Sequence, residues 1–236
     1  MKILIIDILC TPFEEKQINL LGKVFPINEH TQIQFKVVHL NSERINLNEL
    51  EDFDKVIISG SFMAAYSDFE WKQQLRDIID KLIEENIPTY AICFGAQFVA
   101  MHLGAKVHLN PRGIEFGVIK INLTEAGKNH PILKDYQLGQ ELHASHRDVI
   151  EDVPEGAVLL AYNEMAPVQA FQYKNIFATQ FHTDFPVYMM EKLLELRKEE
   201  YLAKGILKDL EHYHQTKNSL PRGEAAHQLL HKFLLD

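Results

Sequence analysis

Apolar positions in the first hundred residues come in short runs of two kinds. Residues 2–8, Lys2-Ile3-Leu4-Ile5-Ile6-Asp7-Ile8, are apolar almost without interruption over one strand length, the pattern of a strand buried on both faces of a parallel sheet. A helix-like stretch over 13–24 follows, then strand-like runs over 33–40 and 55–59. Over 71–85 the period changes: Leu75, Ile78, Ile79, Leu82 and Ile83 fall on one side of a helix. Pro88 opens a short buried strand over 89–92, and the apolar pattern resumes with helical character over 98–101. Alternating strands and helices predict an α/β fold, a mostly parallel central sheet flanked by helices, with the functional loops at the carboxyl ends of the strands. Residues 118–123, 157–162, 168–173 and 175–182 then read as strands separated by short turn signals, an antiparallel extension of that sheet. From Val187 onward Met189, Leu193, Leu194, Leu196 and Leu202 mark a helix. The chain turns polar around 212–223, and a last helix is expected over 224–235. With no repeat and no low-complexity linker, residues 1–190 are expected to form one catalytic domain, and 191–236 a helical appendage of it.

Length and composition refine this picture. A chain of 236 residues with 46% hydrophobic content suits one large α/β domain. Its 33 acidic and 24 basic side chains give a formal net charge of -9, which argues against a general nucleic-acid or anionic-membrane surface and fits a small polar substrate. Asp7 interrupts the first apolar run too early for a signal sequence, and no segment is long enough to span a bilayer. Two cysteines make no disulfide framework, so a reducing, cytoplasmic location is expected. Neither a G-x-x-x-x-G-K-[ST] loop nor a G-x-G-x-x-G fingerprint is present, and no cofactor is expected. His212 and His214 share no helical face and lack a matching ligand set, so no metal site is expected either. The charged run over 195–200, Arg197 and Lys198 included, reads as an exposed helix face.

Candidate chemistry lies in two distant segments. In Tyr90-Ala91-Ile92-Cys93-Phe94-Gly95-Ala96-Gln97 a cysteine sits between a strand and a helix, with Gly95 letting backbone crowd the turn. Such a turn exposes the side chain at its apex and aims a helix N-terminus at it, favouring a thiolate and supplying N–H donors for an oxyanion. In Thr179-Gln180-Phe181-His182-Thr183-Asp184 a strand-like run ends in a histidine able to act as base and then acid, with a carboxylate two positions on to orient it. Strand alternation would put both side chains on one face. A buried structural cysteine and a satisfied strand-end histidine are the alternatives that each segment leaves open by itself. Cys10, with no base nearby, reads as structural.

Together the two segments resemble the class I glutamine amidotransferase family, with its G-x-C-x-G-x-Q elbow and Q-F-H-P-E histidine strand. Closest in pattern is the branch related to the glutaminase domain of GMP synthase. Ile57-Ile58-Ser59-Gly60-Ser61 followed by Ala65-Tyr66-Ser67-Asp68 looks like its oxyanion loop. Arg112-Gly113-Ile114-Glu115-Phe116-Gly117, His143-Ala144-Ser145-His146-Arg147-Asp148 and Ala166-Pro167-Val168-Gln169-Ala170-Phe171 agree in order and spacing. The Gly-Ser form of the loop also resembles free-standing members, γ-glutamyl peptidases among them. The resemblance implies a flavodoxin-like fold with Cys93 as nucleophile, His182 as base and Asp184 as its partner. It implies an oxyanion site at Gly60, Ser61 and Phe94, and places Gln97, Ser145 and His146 near the glutamyl α-amino and α-carboxylate groups. The implied reaction is cleavage of a γ-glutamyl amide, in glutamine or a γ-glutamyl peptide, through a thioester.

This sequence departs from the family pattern at four positions. Asp184 stands for glutamate and Thr183 for proline in the histidine segment; Ala91 stands for glycine and Ala96 for histidine at the elbow. The aspartate is shorter by about 1.5 Å, one C–C bond. Three readings stay open from sequence: a free-standing γ-glutamyl hydrolase, a glutaminase subunit passing ammonia to a synthetase partner, and a non-catalytic module with a weakened triad.

Overall fold

A computed structural model describes residues 1–9, 33–137, 139–220 and 224–235. The expected helix over 13–24 and Cys10 lie outside the described residues. In chain order the strands are β1 (Lys2–Asp7), β2 (Gln34–His39), β3 (Lys55–Ile58), β4 (Thr89–Ile92), β5 (Val107–Leu109), β6 (Glu115–Ile119), β7 (Asn122–Leu123), β8 (Leu142–His146), β9 (Asp148–Ile150), β10 (Val158–Tyr162), β11 (Ala170–Tyr173) and β12 (Ile176–Thr179). The α-helices are α1 (Lys72–Glu84), α2 (Phe94–His102), α3 (Glu125–Asn129), α4 (Val187–Leu196), α5 (Lys198–Ala203), α6 (Leu210–Asn218) and α7 (Glu224–Leu235).

Eight strands form the central sheet in the order β2-β1-β3-β4-β12-β11-β10-β7. The first five are parallel and the remaining pairings antiparallel, the mixed α/β architecture expected from the sequence. Side chains alternate across the sheet, and each face has its own cover. Leu4, Ile6, Val56, Ile58, Ala91 and Ala178 meet the buried stripes of α1 and α2 on one side. Ile3, Ile5, Ile57, Tyr90, Ile92 and Phe177 meet Leu229, Leu230, Phe233 and Leu234 of α7 on the other. Each of those α7 side chains contributes roughly 1.5–3 kcal/mol by leaving water, so the sheet's second face depends on the end of the chain.

Several boundaries differ from the sequence reading, each for a local reason. The run over 118–123 divides: β6 pairs with β8 in a separate two-stranded sheet, whereas β7 sits at the edge of the main one. Strand β12 stops at Thr179, three residues short of His182, because the Gln180 N–H turns to the Gln169 carbonyl and the His182 N–H to the His143 carbonyl. The helix expected from Val187 through Leu202 breaks at Arg197, which ends α4 and begins α5. No helix among the described residues is long and apolar enough to cross a membrane.

Candidate active site

Three neighbouring strands deliver the candidate residues to one end of the sheet. In the register Ile58↔Ala91 and Ile92↔Thr179, strands β3, β4 and β12 finish almost level. The segments that leave them, Gly60, Cys93 and 180–184, therefore meet. Cys93 has φ 52°, ψ −105° and stands immediately before α2. Its N–H donates to the Thr179 carbonyl at 2.7 Å, which ties the elbow to the end of β12. Gly95 is needed on the first turn of α2, since a Cβ there would lie 2.8 Å from the Ile58 carbonyl oxygen. Gly60 is needed on the facing loop, where a Cβ would lie 3.0 Å from His182 Cε1 and 3.5 Å from Cys93 Cβ.

His182 and Asp184 are both buried, and His182 Nδ1 is 2.9 Å from Asp184 Oδ1. The imidazole stacks on the Phe185 ring with centroids 3.7 Å apart. Burial works against a charged ring, yet the Cys93 sulfur and the Asp184 carboxylate outweigh it and push the His182 pKa up to about 10. The shorter carboxylate reaches the ring from a turn rather than from a strand, a correction to the alternation argument. That turn is held by a run of buried hydroxyls. Thr183 Oγ1 donates to Tyr90 OH at 3.0 Å, Tyr90 OH and Thr179 Oγ1 are 3.2 Å apart, and Thr179 Oγ1 donates to the Phe181 carbonyl at 3.0 Å. From the opposite side the Phe185 carbonyl accepts from His143 Nδ1 and from His227 Nε2 of α7, each at 3.1 Å.

The loop that carries Gly60 and Ser61 is oriented from beneath. Buried Ser59 Oγ accepts from the Ile8 N–H at 2.9 Å and donates to the Gly60 carbonyl at 3.0 Å. A planar trans peptide points its N–H opposite to its carbonyl, so this bond also fixes the direction of the Ser61 N–H. The Phe94 side chain packs in the core beside Phe98, so only its backbone could serve the site.

A small cleft beside Cys93 is lined by Ser61, Gln97, Ser145, Arg147, Asp148 and Arg197, among others. Of the residues expected from sequence, Ser61, Cys93, Gln97, Ser145 and His146 line this cleft, although two of them have their polar atoms engaged elsewhere. Gln97 Nε2 donates to the Asp148 carbonyl and to Gln180 Oε1, so its amide braces β9 and the histidine segment. His146 faces two acceptors, the Asp148 carbonyl at 3.0 Å and Glu115 Oε2 at 2.8 Å. Glu115 also accepts from Asn163 and Gln169, each at 2.7 Å. Burial would raise the Glu115 carboxyl, but these hydrogen bonds hold it below its ordinary value. The sequence reading missed the network around Glu115, the hydroxyl run through Tyr90, and Arg197. Quoted motifs contain Glu115, Gln169 and Tyr90, but no spacing rule marks them as partners. Arg197 is half-buried against the cleft, not on an exposed helix face as expected.

A parallel sheet whose adjoining strand ends bring a cysteine elbow to a histidine–carboxylate pair defines an α/β protein of the cysteine-elbow class. The chain belongs to the glutamine amidotransferase class-I family, whose family model matches residues 26–193. It is 32% identical over 144 residues to γ-glutamyl peptidase 4 of Arabidopsis thaliana, a match covering 58% of this chain and 56% of that one. It is 30% identical over 142 residues to a glutamine-hydrolyzing GMP synthase subunit of Thermoplasma volcanium, covering 59% of this chain and 67% of that one. The match thus spans little more than half the length of the plant relative. Among solved structures, a glutamine amidotransferase from Thermotoga maritima superimposes with a TM-score of 0.78 at 22% identity, over 99% of this chain and 96% of that one, a likeness of fold.

Proposed function

We propose that the protein hydrolyses a γ-glutamyl amide bond through a Cys93 thioester. The observation that carries this reading is the buried His182, held 2.9 Å from Asp184 and interacting with the Cys93 sulfur. In the proposed reaction the Cys93 thiolate attacks the γ-carbonyl and the oxyanion forms against the Ser61 and Phe94 N–H groups. The His182 imidazolium passes its proton to the departing amine, then accepts one from the water that releases glutamate. Asp184 keeps the ring oriented throughout. The chain's own residues supply every proton transfer in this scheme.

The γ-glutamyl peptidase relative favours a free-standing hydrolase, and a thiolate nucleophile suits a reducing compartment such as the cytoplasm. The GMP synthase relative supports a second reading, in which the ammonia released from glutamine passes to a synthetase partner. Residues 1–190 would carry the chemistry in either case. The test is glutamate release from glutamine and from a panel of γ-glutamyl peptides, comparing the chain with Cys93→Ala. A hydrolase turns over alone and loses activity in the variant. A partner-dependent glutaminase is nearly idle until a synthetase is added. No release and no covalent adduct with a γ-glutamyl electrophile would overturn the enzymatic reading.

A further inference from the structure

Arg197 occupies the break between α4 and α5 and brings a guanidinium to the cleft beside Cys93. Its Nη1 donates to Ser145 Oγ at 3.3 Å and to the buried Tyr201 hydroxyl at 3.2 Å, and its guanidinium carbon lies 5.2 Å from the centre of the Phe62 ring. All three partners are neutral. No carboxylate among the described residues forms an ion pair with it, and the nearby Glu200 is taken by Lys204 at 2.6 Å. A half-buried cation whose protein contacts are two hydroxyls and an aromatic face retains most of its fork for another acceptor.

The surroundings hold this cation in place. Tyr201 packs edge-on against Phe116 of β6, with centroids 5.2 Å apart, and joins Leu194, Leu207 and Tyr213 in a separate apolar cluster. Phe62 belongs to the loop that carries Gly60 and Ser61, and its ring packs against the cluster of Phe185, Met189, Met190 and Leu193. The guanidinium is thus fixed between the oxyanion loop and Ser145 by elements that are themselves anchored. Across the cleft the buried Asp148 carboxylate is engaged by Tyr66 OH at 2.9 Å and by Arg147 at 3.8 Å. That carboxylate has a cation beside it, whereas Arg197 has no ion-pair partner among the described residues.

We infer that Arg197 is a specificity-determining residue that takes a carboxylate of the γ-glutamyl substrate, an inference that rests on the proposed function of the same cleft. A γ-glutamyl compound brings such a group on its glutamyl α-carbon, and a γ-glutamyl peptide brings a second on its amine side. A planar guanidinium matches either one through two parallel N–H donors.

The test uses the full chain and three probes: glutamine, a γ-glutamyl dipeptide with a free carboxyl terminus, and the same dipeptide as its terminal amide. For Arg197→Met we expect KM to rise roughly 10- to 100-fold with kcat little changed, the loss of a charge-assisted hydrogen-bonded contact. Arg197→Lys should fall between, because an ammonium keeps the charge without the fork. An equal rise on all three probes assigns the glutamyl α-carboxylate; a rise confined to the free-acid dipeptide assigns the amine-side carboxylate. Unchanged KM on every probe, or loss of kcat alone in a variant that melts like the wild type, overturns the inference. Calorimetric binding of the same probes to Cys93→Ala and to Cys93→Ala/Arg197→Met separates the two readings. Arg197-dependent binding, with a Cys93-containing chain that releases no glutamate and forms no covalent adduct with a γ-glutamyl electrophile, would leave this inference standing and overturn the proposed function.

Discussion

Asp184 lacks a methylene that the family usually has at this position, and still places Oδ1 2.9 Å from His182 Nδ1. The turn makes up the difference by bringing the backbone closer. The pair's electrostatics follow from that contact. With its pKa raised from 6.5 to about 10, His182 adds stability that is complete below about pH 6.5 and is lost as pH rises through 10. Asp184→Asn removes one of the two anionic supports of the imidazolium. Its pKa should fall, and the alkaline limb of kcat/KM should move toward neutral pH. Activity should drop on the order of 10²- to 10⁴-fold, the range for a disabled acid–base group. A pH–rate profile of the variant checks both; an alkaline limb that stays in place would show that Asp184 does not support the ring.

At the scale of elements, the hydroxyl run Thr183–Tyr90–Thr179 braces β4, the strand that leads to Cys93, against the turn beyond β12. Tyr90→Phe and Thr183→Val should each lower kcat by up to about 10²-fold with little change in KM, because they shift the carboxylate without touching the cleft. Thermal melting should show a loss of about 1 kcal/mol for each hydrogen bond removed. Thr183→Pro and Asp184→Glu together should retain more activity than either change alone, with kcat as the measurement. The parallel strands were legible because burial on both faces leaves unbroken runs such as Ile3 to Ile6 and Val56 to Ile58. Cys93 and His182 were legible because glycine punctuation and strand ends mark loops. The hydroxyl run was not, since its members lie 93 and 89 residues apart and only the β4–β12 register joins them. The break at Arg197 was equally hidden, because no proline or glycine marks it and the apolar period continues from Leu194 to Tyr201.

At the scale of the molecule, the cleft is assembled by elements that belong to different sheets. Glu115 of β6 gathers His146 of β8, Asn163 after β10 and Gln169 before β11, and so welds the small β6–β8 sheet to the antiparallel extension. Glu115→Ala takes the acceptor from buried donors on His146 and Gln169 and from half-buried Asn163, and should cost roughly 3–5 kcal/mol, the usual loss when one member of a buried ionic network is removed. Urea unfolding at neutral pH measures it; a change under about 1 kcal/mol would mean that the network is solvated. Helix α7 works at the same scale. Its Phe233 ring meets Tyr90 edge-on at 5.3 Å, and its His227 donates to the Phe185 carbonyl, so the chain's last helix supports both the thiol's strand and the imidazole's turn.

The φ of 52° at Cys93 means that the thiol occupies a backbone conformation suited to glycine. Stability and reactivity are therefore opposed at this one residue. Strain of this kind costs on the order of 1–3 kcal/mol wherever a Cβ is present. Cys93→Ala retains the Cβ and keeps the strain, whereas Cys93→Gly releases it. The glycine variant should thus melt above the alanine variant although both lack the sulfur, and the gap between their melting temperatures measures how far the fold is bent to hold its thiol at the apex.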